Sequence, residues 1–417
     1  MRAIGYIGVC LLGIGALAGG CAGPSGQVDT GVISVGQAIA SPEELKASDY
    51  FREIRYVPLE TTDDCLVGEA PDVELTEDYI LITTRRQCLL FDKATGKFVR
   101  SIGHRGNDPG GYSDANARVD GPNGRLLFAG WNHDWLVYGL NGNYQGKIES
   151  PALGEEAYPA DCFAVNKDTL IGYFPNTQGT EKNRILYFSE AGERLGVLPN
   201  RESCPSFEIN SMSVWQGEEA MEVFGPALRS AIYMEGRDRE TASLYFPNSA
   251  PFWRTGDDIY FMELYNDTIY RSEGIDLVPC LRFDRGDLTW RYADRFRKEA
   301  GEGILIPHVL DSERLLFGIA ITDIYDEDSR QTYAIAFDKR AGMTRAGLYE
   351  EGIKDDLTGF LPIRLMAVSS SGEFAGLHAA VDIREWFDEH GDAAKADALT
   401  NLAGLDEEDN PVVVLLR

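Results

Sequence analysis

The fold is decided by a repeated pattern whose clearest copy reads Tyr79-Ile80-Leu81-Ile82-Thr83-Thr84, then Cys88-Leu89-Leu90-Phe91-Asp92, then Phe98-Val99-Arg100-Ser101-Ile102. Each run is short and rich in β-branched, aromatic or other apolar residues, and the turn Ala94-Thr95-Gly96-Lys97 separates the last two. Such runs, bounded by glycine-containing turns, are typical of antiparallel strands joined by hairpins. The stretch therefore predicts a small meander of strands.

Two further copies of this pattern follow, at residues 125–148 and 169–198. The middle aromatic residues Phe91, Tyr138 and Phe188 recur at intervals of 47 and 50 residues. A repeat of this length predicts the four-stranded blades of an all-β propeller. A parallel α/β fold is disfavoured, because no helical pattern of about 10–15 residues separates the strands.

The later repeats are less regular, and the number of blades depends on how they are divided. The sequence predicts six or seven blades over residues 45–417, according to whether the weak unit from Glu219 to Glu235 forms a blade of its own. Apolar residues at helical spacing predict short helical insertions near 289–300 and 383–403. Because a propeller must close without an open edge, we expect the strand at 53–59 to pair with the strand at 412–416.

The first 20 residues have the features of an export signal. Arg2 precedes an uncharged run from Ile4 to Ala18, which is too short for a stable transmembrane helix. The run ends on Leu17-Ala18-Gly19-Gly20-Cys21, which resembles the lipobox of bacterial lipoproteins, although Ala18 stands where leucine is commoner. The resemblance implies cleavage before Cys21 and acylation of its thiol, with an ordinary cleaved signal as the alternative.

The chain is thus divided into a signal peptide at 1–20, a lipidated flexible tether at 21–44 and one domain at 45–417. The residues that follow Cys21 are small and polar, as in a tether. Ala22 argues against retention at an inner membrane by analogy with other lipoproteins, and the tether lacks the acidic run that marks surface export of some lipoproteins. We expect an outer-membrane anchor, with the periplasmic side favoured over the cell surface.

Composition limits the classes of partner. The 417 residues include 67 Asp and Glu against 39 Lys and Arg, a net charge of −28. Such a surface repels phosphate backbones, so nucleic-acid binding is disfavoured. Apart from Cys10 and Cys21, five cysteines are scattered without a C-x-x-C motif, and we expect them to act mainly as buried small apolar residues. They are Cys65, Cys88, Cys162, Cys204 and Cys280.

Four motifs together resemble the six-bladed β-propeller lipoproteins common in gut Bacteroidetes. They are Tyr56-Val57-Pro58-Leu59-Glu60-Thr61-Thr62; Phe91-Asp92 with the glycine turn from Gly103 to Tyr112; Asn266-Asp267-Thr268-Ile269-Tyr270; and Asp409-Asn410-Pro411-Val412-Val413-Val414-Leu415. The glycine turn departs from the family pattern, because Asn107-Asp108 is inserted and Gly111 stands where glutamate is usual. The resemblance implies six blades, and it implies no activity.

One stretch, Trp131-Asn132-His133-Asp134-Trp135, is the main candidate for ligand binding. Two aromatic rings beside Asn, His and Asp could stack on a sugar and hydrogen-bond to its hydroxyl groups. Tyr112, in the glycine turn, could line the same face. The alternative is a hairpin turn whose tryptophans pack between blades.

No catalytic residue and no cofactor are predicted. The acidic stretches 325–328 and 406–409 carry the oxygen ligands that calcium prefers, but neither has the spacing of an EF-hand loop. The five histidines lack the close spacing of a zinc motif. We therefore expect a non-enzymatic binding or scaffold protein for a glycan or a partner protein. The alternatives are a metal-dependent enzyme of the lactonase or hydrolase kind and a structural subunit of an outer-membrane complex.

Overall fold

The structure, a computed structural model, describes residues 31–154, 157–225, 228–391 and 397–417. It is an all-β fold of seven sheets with four short α-helices, α1 (Val35–Ile39), α2 (Ala47–Tyr50), α3 (Glu218–Phe224) and α4 (Ala380–His390). The predicted signal peptide and Cys21 lie outside the described residues. Within the described ranges, no helix has the length and apolar character needed to cross a membrane.

The sheets are built almost entirely from strands that follow one another along the chain, and we number them in that order. Sheet 1 contains β3 (Asp72–Leu75), β4 (Tyr79–Thr83), β5 (Cys88–Asp92) and β6 (Phe98–Ser101). Sheet 2 contains β7 (Arg118–Asp120), β8 (Arg125–Ala129), β9 (Asp134–Gly139) and β10 (Tyr144–Glu149). Sheet 3 contains β11 (Asp161–Ala164), β12 (Thr169–Tyr173), β13 (Asn183–Ser189) and β14 (Arg194–Pro199). All neighbouring strands in them are antiparallel.

Sheets 4 to 6 follow the same plan with two variations. Sheet 4 has only three strands, and the strand β1 (Gly31–Ile33) joins the outer edge of sheet 5 in parallel. Sheet 4 contains β15 (Ile209–Gln216), β16 (Ser230–Gly236) and β17 (Ala242–Tyr245). Sheet 5 contains, besides β1, β18 (Phe252–Thr255), β19 (Asp258–Phe261), β20 (Thr268–Glu273) and β21 (Asp276–Phe283). Sheet 6 contains β22 (Leu305–Asp311), β23 (Leu315–Thr322), β24 (Gln331–Asp338) and β25 (Met343–Leu348).

Sheet 7 joins the beginning of the domain to its end. It contains β26 (Leu365–Val368), β27 (Phe374–His378) and β28 (Val412–Leu416), and β2 (Ile54–Pro58) pairs antiparallel with β28. The predicted pairing of the strand at 53–59 with the strand at 412–416 is therefore confirmed. All five residues of β28 are buried, so this strand lies between packed sheets on both of its faces.

Apolar side chains on alternate positions pack six of the sheets each against two neighbours. In β28, Val412, Val414 and Leu416 belong to a cluster with sheet 6, whereas Val413 and Leu415 belong to a cluster with sheet 1. The same alternation places Leu126 and Phe128 of β8 against sheet 1 and Leu127 against sheet 3. Continuous apolar runs therefore mark strands that are buried on both faces.

These clusters give the neighbours of every sheet. Sheet 1 packs on sheet 2, and sheet 2 packs on sheet 3. Sheet 3 then packs on sheet 5, sheet 5 on sheet 6, sheet 6 on sheet 7, and sheet 7 on sheet 1. Sheet 4 shares its cluster with sheet 6 through Leu244 and Ile319 and with the segment around Trp290.

Three regions differ from the expectations drawn from the sequence. Residues 31–44, expected within a flexible tether, contain β1 and α1, and Ile33 and Val35 are fully buried between sheets 5 and 6. The weak unit from Glu219 to Glu235 consists mainly of α3 and β16, and β16 is the middle strand of sheet 4. The insertion near 289–300 forms 3₁₀ turns at Tyr292–Asp294 and Lys298–Glu302, whereas α4 and a 3₁₀ turn at Asp397–Leu402 form the insertion near 383–403.

Candidate functional site

A cavity of about 210 Å³ is lined by β3, β7, β11, β18, β22 and β26, one strand from each of sheets 1, 2, 3, 5, 6 and 7, and we call it the first-strand cavity. Each of the six strands contributes side chains to its wall: Glu74, Arg118, Phe163, Trp253, His308 and Met366 are one from each. The wall is therefore both polar and aromatic, as in many small-molecule sites.

Arg118 forms a bidentate ion pair with Asp161. Its Nε and one terminal nitrogen donate to the two carboxylate oxygens of Asp161, at 3.0 and 3.2 Å, and both side chains are largely buried. Burial by itself lowers the pKa of Arg118, but Asp161 outweighs burial and the pKa is raised overall. The planar guanidinium group of an arginine can donate two parallel hydrogen bonds, one to each oxygen of a carboxylate. Arg118 is consequently a fixed positive charge in the cavity wall.

Sheet 4 supplies a second arginine from outside the first strands. Arg229, just before β16, is buried and lies 3.1 Å from the Asp72 carboxylate, and it also donates to the carbonyl oxygen of Thr83 at 2.9 Å. Burial first, and then the charge of Asp161, raise the pKa of Tyr245 in β17. Sheet 4 therefore reaches the ends of sheets 1 and 3 where Asp72 and Asp161 begin their strands.

Glu74 differs from the other carboxylates of the cavity. Within the described part of the chain it has no hydrogen bond and no ion pair, although Asp72 lies two residues away on the same strand. Burial first, and then the negative charge of Asp72, raise the pKa of Glu74 to about 7, against the opposing effect of Arg118 and Arg229. A carboxyl group that is half protonated near neutral pH can both donate and accept hydrogen bonds. Perturbed groups of this kind mark candidate binding or catalytic sites.

His308, on β22, adds a neutral polar group. Burial lowers the pKa of His308 to about 4, so the imidazole is uncharged at neutral pH. Its Nε2 atom is buried, and no described residue forms a hydrogen bond with it. Together Glu74 and His308 present hydrogen-bonding capacity that the described protein atoms do not use.

The remaining acidic groups do not gather into a metal centre. Asp311 at the far end of β22 is paired with Lys339 at 2.6 Å, much as Asp161 is paired with Arg118. Over the described ranges, no three His, Cys, Asp or Glu side chains are arranged to hold a metal ion, and this includes the acidic stretches 325–328 and 406–409. The cavity wall offers groups for hydrogen bonding and stacking.

The sequence-predicted candidates on the hairpin between β8 and β9 lie elsewhere. Trp131, which is 52% exposed, donates from Nε1 to the carbonyl oxygen of Gly106 at 2.6 Å. Asn132 and His133 are also exposed. The His133 ring stacks on Tyr158 at a centroid distance of 4.1 Å, and its backbone has the left-handed φ of 59°. These three residues form an exposed hairpin tip that a ligand could reach.

The other three candidates are buried. Trp135 packs between sheets 2 and 3 and donates to Ser150 Oγ at 3.1 Å. Tyr112 packs between sheets 1 and 2, with its ring stacked 4.6 Å from that of Phe128. Asp134 is buried and lies 3.3 Å from Lys147. The sequence predicted two exposed tryptophans in this hairpin. That prediction is wrong for Trp135, which fills the core, and of the two only Trp131 is accessible.

Glu74, Arg118 and His308 were not singled out from the sequence, although a signal existed. Charged residues alternate with apolar residues in Asp72-Val73-Glu74-Leu75 and Arg118-Val119-Asp120, just before each stronger apolar run. Such alternation indicates a strand with one polar face. All five cysteines of the domain are free thiols, and Cys65, Cys88 and Cys162 are buried as expected.

Comparisons with known proteins bear on fold and family. A crystal structure of a Bacteroides fragilis NCTC 9343 protein designated as exported is similar, with a TM-score of 0.62, 15% identity, and coverage of 93% of this chain and 99% of that chain. At that identity the likeness concerns the fold alone. The RRP9 WD40 repeats give a TM-score of 0.39 and 9% identity over 90% of this chain and 100% of that chain. No curated protein matches the sequence. The sequence profile named Domain of unknown function (DUF4934) matches residues 30–417, and the chain therefore belongs to this family.

Proposed function

We propose that sheets 1, 2, 3, 5, 6 and 7 are the blades of a six-bladed β-propeller and that the first-strand cavity is its central channel. The order of the shared apolar clusters supports this proposal, because it returns from sheet 7 to sheet 1. The pairing of β2 with β28 supplies the joint between the two ends of the domain. Sheet 4, which packs on sheet 6 and reaches Asp72 through Arg229, is then a cover at one end of the channel rather than a seventh blade.

The function we propose is non-enzymatic binding of a small ligand rich in hydroxyl groups, such as a sugar unit of a glycan, in this channel. The observation that carries the proposal is Glu74, a carboxyl group in the cavity wall with a pKa raised to about 7 and no partner among the described residues. His308 adds a neutral imidazole, and the rings of Phe163 and Trp253 add apolar surface. Sugar binding requires both kinds of contact.

The pairing of charges favours binding over metal-dependent hydrolysis. A lactonase-like enzyme needs carboxylates from several blades that converge on one ion. Here Asp161 and Asp311 are each neutralised by a cation from the same chain, at 3.0 and 2.6 Å. The channel thus offers positions for hydrogen bonds, and the enzyme remains the less favoured alternative.

The proposed location follows from the N-terminus. A lipid at Cys21 would hold the domain on the outer membrane, facing the periplasm, since each buried CH₂ of an acyl chain contributes about 0.8 kcal/mol. Cys21→Ser should move the protein from the membrane fraction to the soluble fraction when cells are fractionated. If the variant stays in the membrane fraction, the lipid anchor is refuted.

A thermal-shift screen of the purified chain with mono- and oligosaccharides tests the binding function, and Ca²⁺, Zn²⁺ and EDTA test the metal-dependent alternative. A ligand at 100 times its Kd adds about 2.7 kcal/mol to the stability of the folded state. Glu74→Gln should weaken a sugar that binds in the channel, whereas Glu77→Gln, the same change at an exposed position of the neighbouring turn, should not.

Trp131→Ala separates the channel from the hairpin tip. Loss of sugar binding in Trp131→Ala with full binding in Glu74→Gln would refute the channel and return the site to the hairpin predicted from the sequence. A shift with Ca²⁺ or Zn²⁺ that EDTA reverses would favour the enzyme. No shift with any sugar would refute the proposed ligand class and favour a protein partner.

A further inference from the structure

Strand β15, the edge of sheet 4, has an unusual surface for this chain. It pairs with β16 on one side only, and the described sheet ends there. All eight of its residues are uncharged, in a protein with 25% charged residues and a net charge of −28. Six of the eight are exposed, including Met212 at 62% and Val214 at 44%.

Edge strands of soluble proteins are normally protected against pairing. Charged side chains, prolines, bulges or a covering element block the unpaired N–H and C=O groups of the edge. In β15 the register is irregular only between Ile209 and Ser211, and it is regular from Ser211 to Gln216. These six residues have neither a charge nor a proline, so the edge can accept another strand.

Other observations show that β15 is held in place rather than frayed. Trp215 turns to the inner side, where its ring lies edge-on to Phe224 of α3 and Tyr233 of β16, at 5.8 and 6.1 Å. All residues from Ser211 to Gln216 have a partner in β16. The strand therefore presents a fixed edge with Met212 and Val214 on its outer side.

The charges around β15 indicate what can pair with it. Its C-terminal end meets α3, which carries the exposed residues Glu218, Glu219 and Glu222. Its N-terminal end follows Glu208, which is exposed and lies 2.6 Å from Arg237. In an antiparallel pair with a second copy, the α3 carboxylates of one copy would meet only the Glu208–Arg237 pair of the other, which offers them no net positive charge. The net charge of −28 on each copy also disfavours that arrangement, whereas a partner with a basic end fits the α3 carboxylates.

We propose that β15 is a docking edge for an extended segment of a partner protein, which pairs with it by β-strand addition. The segment has an uncharged, β-forming centre of about six residues and Lys or Arg at the end that lies against α3. Backbone hydrogen bonds would supply affinity, while contacts with Met212 and Val214 and with the α3 carboxylates would supply selectivity. This surface is separate from the first-strand cavity.

The probe is the fluorescent peptide Lys-Lys-Val-Ser-Val-Thr-Val-Ser-Lys-Lys, and fluorescence anisotropy with the purified chain measures its Kd. A peptide with Glu in place of every Lys should bind at least ~10-fold more weakly, because it meets the α3 carboxylates. Two further peptides carry methyl groups on alternate backbone nitrogens, one at the odd-numbered positions and one at the even-numbered positions. Only one edge of a peptide strand faces β15, so one of these peptides should lose binding and the other should keep it. Equal binding of the two methylated peptides would overturn strand addition.

Protein variants locate the site. Met212→Lys should weaken the Lys-flanked peptide by about fivefold, while Met343→Lys, the same change at another exposed strand position, should leave the Kd within about twofold. An equal effect of the two substitutions would overturn the proposed site. Analytical ultracentrifugation completes the test: a concentration-dependent dimer that Met212→Lys dissociates would show that a second copy occupies β15, and the proposed partner would be refuted.

Discussion

The raised pKa of Glu74 predicts that the stability of the folded protein falls as the pH rises from 4.5 to about 7. The folded state keeps the proton on this carboxyl up to a pKa of about 7, while the reference pKa for an exposed glutamate is 4.5. Between these two pH values the folded state binds more protons than the unfolded state, so stability falls as pH rises through this window. Above pH 7 both states are ionised and the loss is complete.

The magnitude follows from the same two values. A shift of one unit corresponds to 1.36 kcal/mol, so the ionised Glu74 costs about 3 kcal/mol of folding free energy at pH 8. Glu74→Gln removes the charge and keeps the shape. With an unfolding entropy of ~2.1 cal/mol/K per residue over the range 30–417, 3 kcal/mol corresponds to roughly 4 °C in Tm.

The assay is urea denaturation of wild type and Glu74→Gln at pH 5 and pH 8, followed by tryptophan fluorescence. We expect the variant to gain about 2.5 kcal/mol relative to wild type between the two pH values, because the wild type has already lost about 0.8 kcal/mol at pH 5. His308 acts in the opposite direction, because its lowered pKa of about 4 means that stability is lost as pH falls below 6.5, but it is present in both proteins and cancels. Glu77→Gln is the matched control. A variant-to-wild-type difference that is the same at both pH values would refute the reasoning.

Three further predictions concern packing and charge. Arg118→Met leaves Asp161 buried without its partner and should cost about 3 kcal/mol or more by chemical denaturation; a cost below about 1 kcal/mol would contradict the described pair. Trp135→Ala should cost about 3–5 kcal/mol and Trp131→Ala less than about 0.5, and the reverse order would contradict the burial described for the hairpin. Burial raises the pKa of the Cys88 thiol to about 12, so iodoacetamide should label it only after denaturation; labelling of the native protein, read by mass spectrometry, would show that the thiol is accessible.

The sequence predicted the parts of the fold that are buried on both faces. The run Val412-Val413-Val414-Leu415-Leu416 and the copies around Phe91 and Phe188 are strands because sheets cover both of their faces. Sheet 4 escaped prediction for the opposite reason: β15 is mostly exposed and carries Ser and Asn between its apolar residues, so it lacks a strong pattern. Residues 31–44 lack a strong sequence signal, because a strand of three residues and a helix of five leave little periodicity.

The candidate site was harder to predict than the fold. Five of the six strands that line the cavity have only three or four residues. The four residues of β3 and three of β7 include four charged ones, which is a weak signal for a strand. Periodicity also says nothing about which strands meet in space. Aromatic residues in a turn are an ambiguous signal, because the large apolar surfaces of Trp135 and Tyr112 favour burial between sheets as well as ligand binding.

Stability alone does not explain the polar wall of the first-strand cavity. A buried ion pair such as Arg118 with Asp161 is often no more stabilising than well-packed apolar side chains of similar size, since removing both charges from water is costly. Glu74 is unfavourable in its ionised form, and His308 leaves a buried nitrogen without a described partner. The apolar clusters between sheets already join the domain without these groups. Several strands thus bring to one cavity charges and hydrogen-bonding atoms that weaken the fold. A binding site requires such groups, because a ligand can form hydrogen bonds with them.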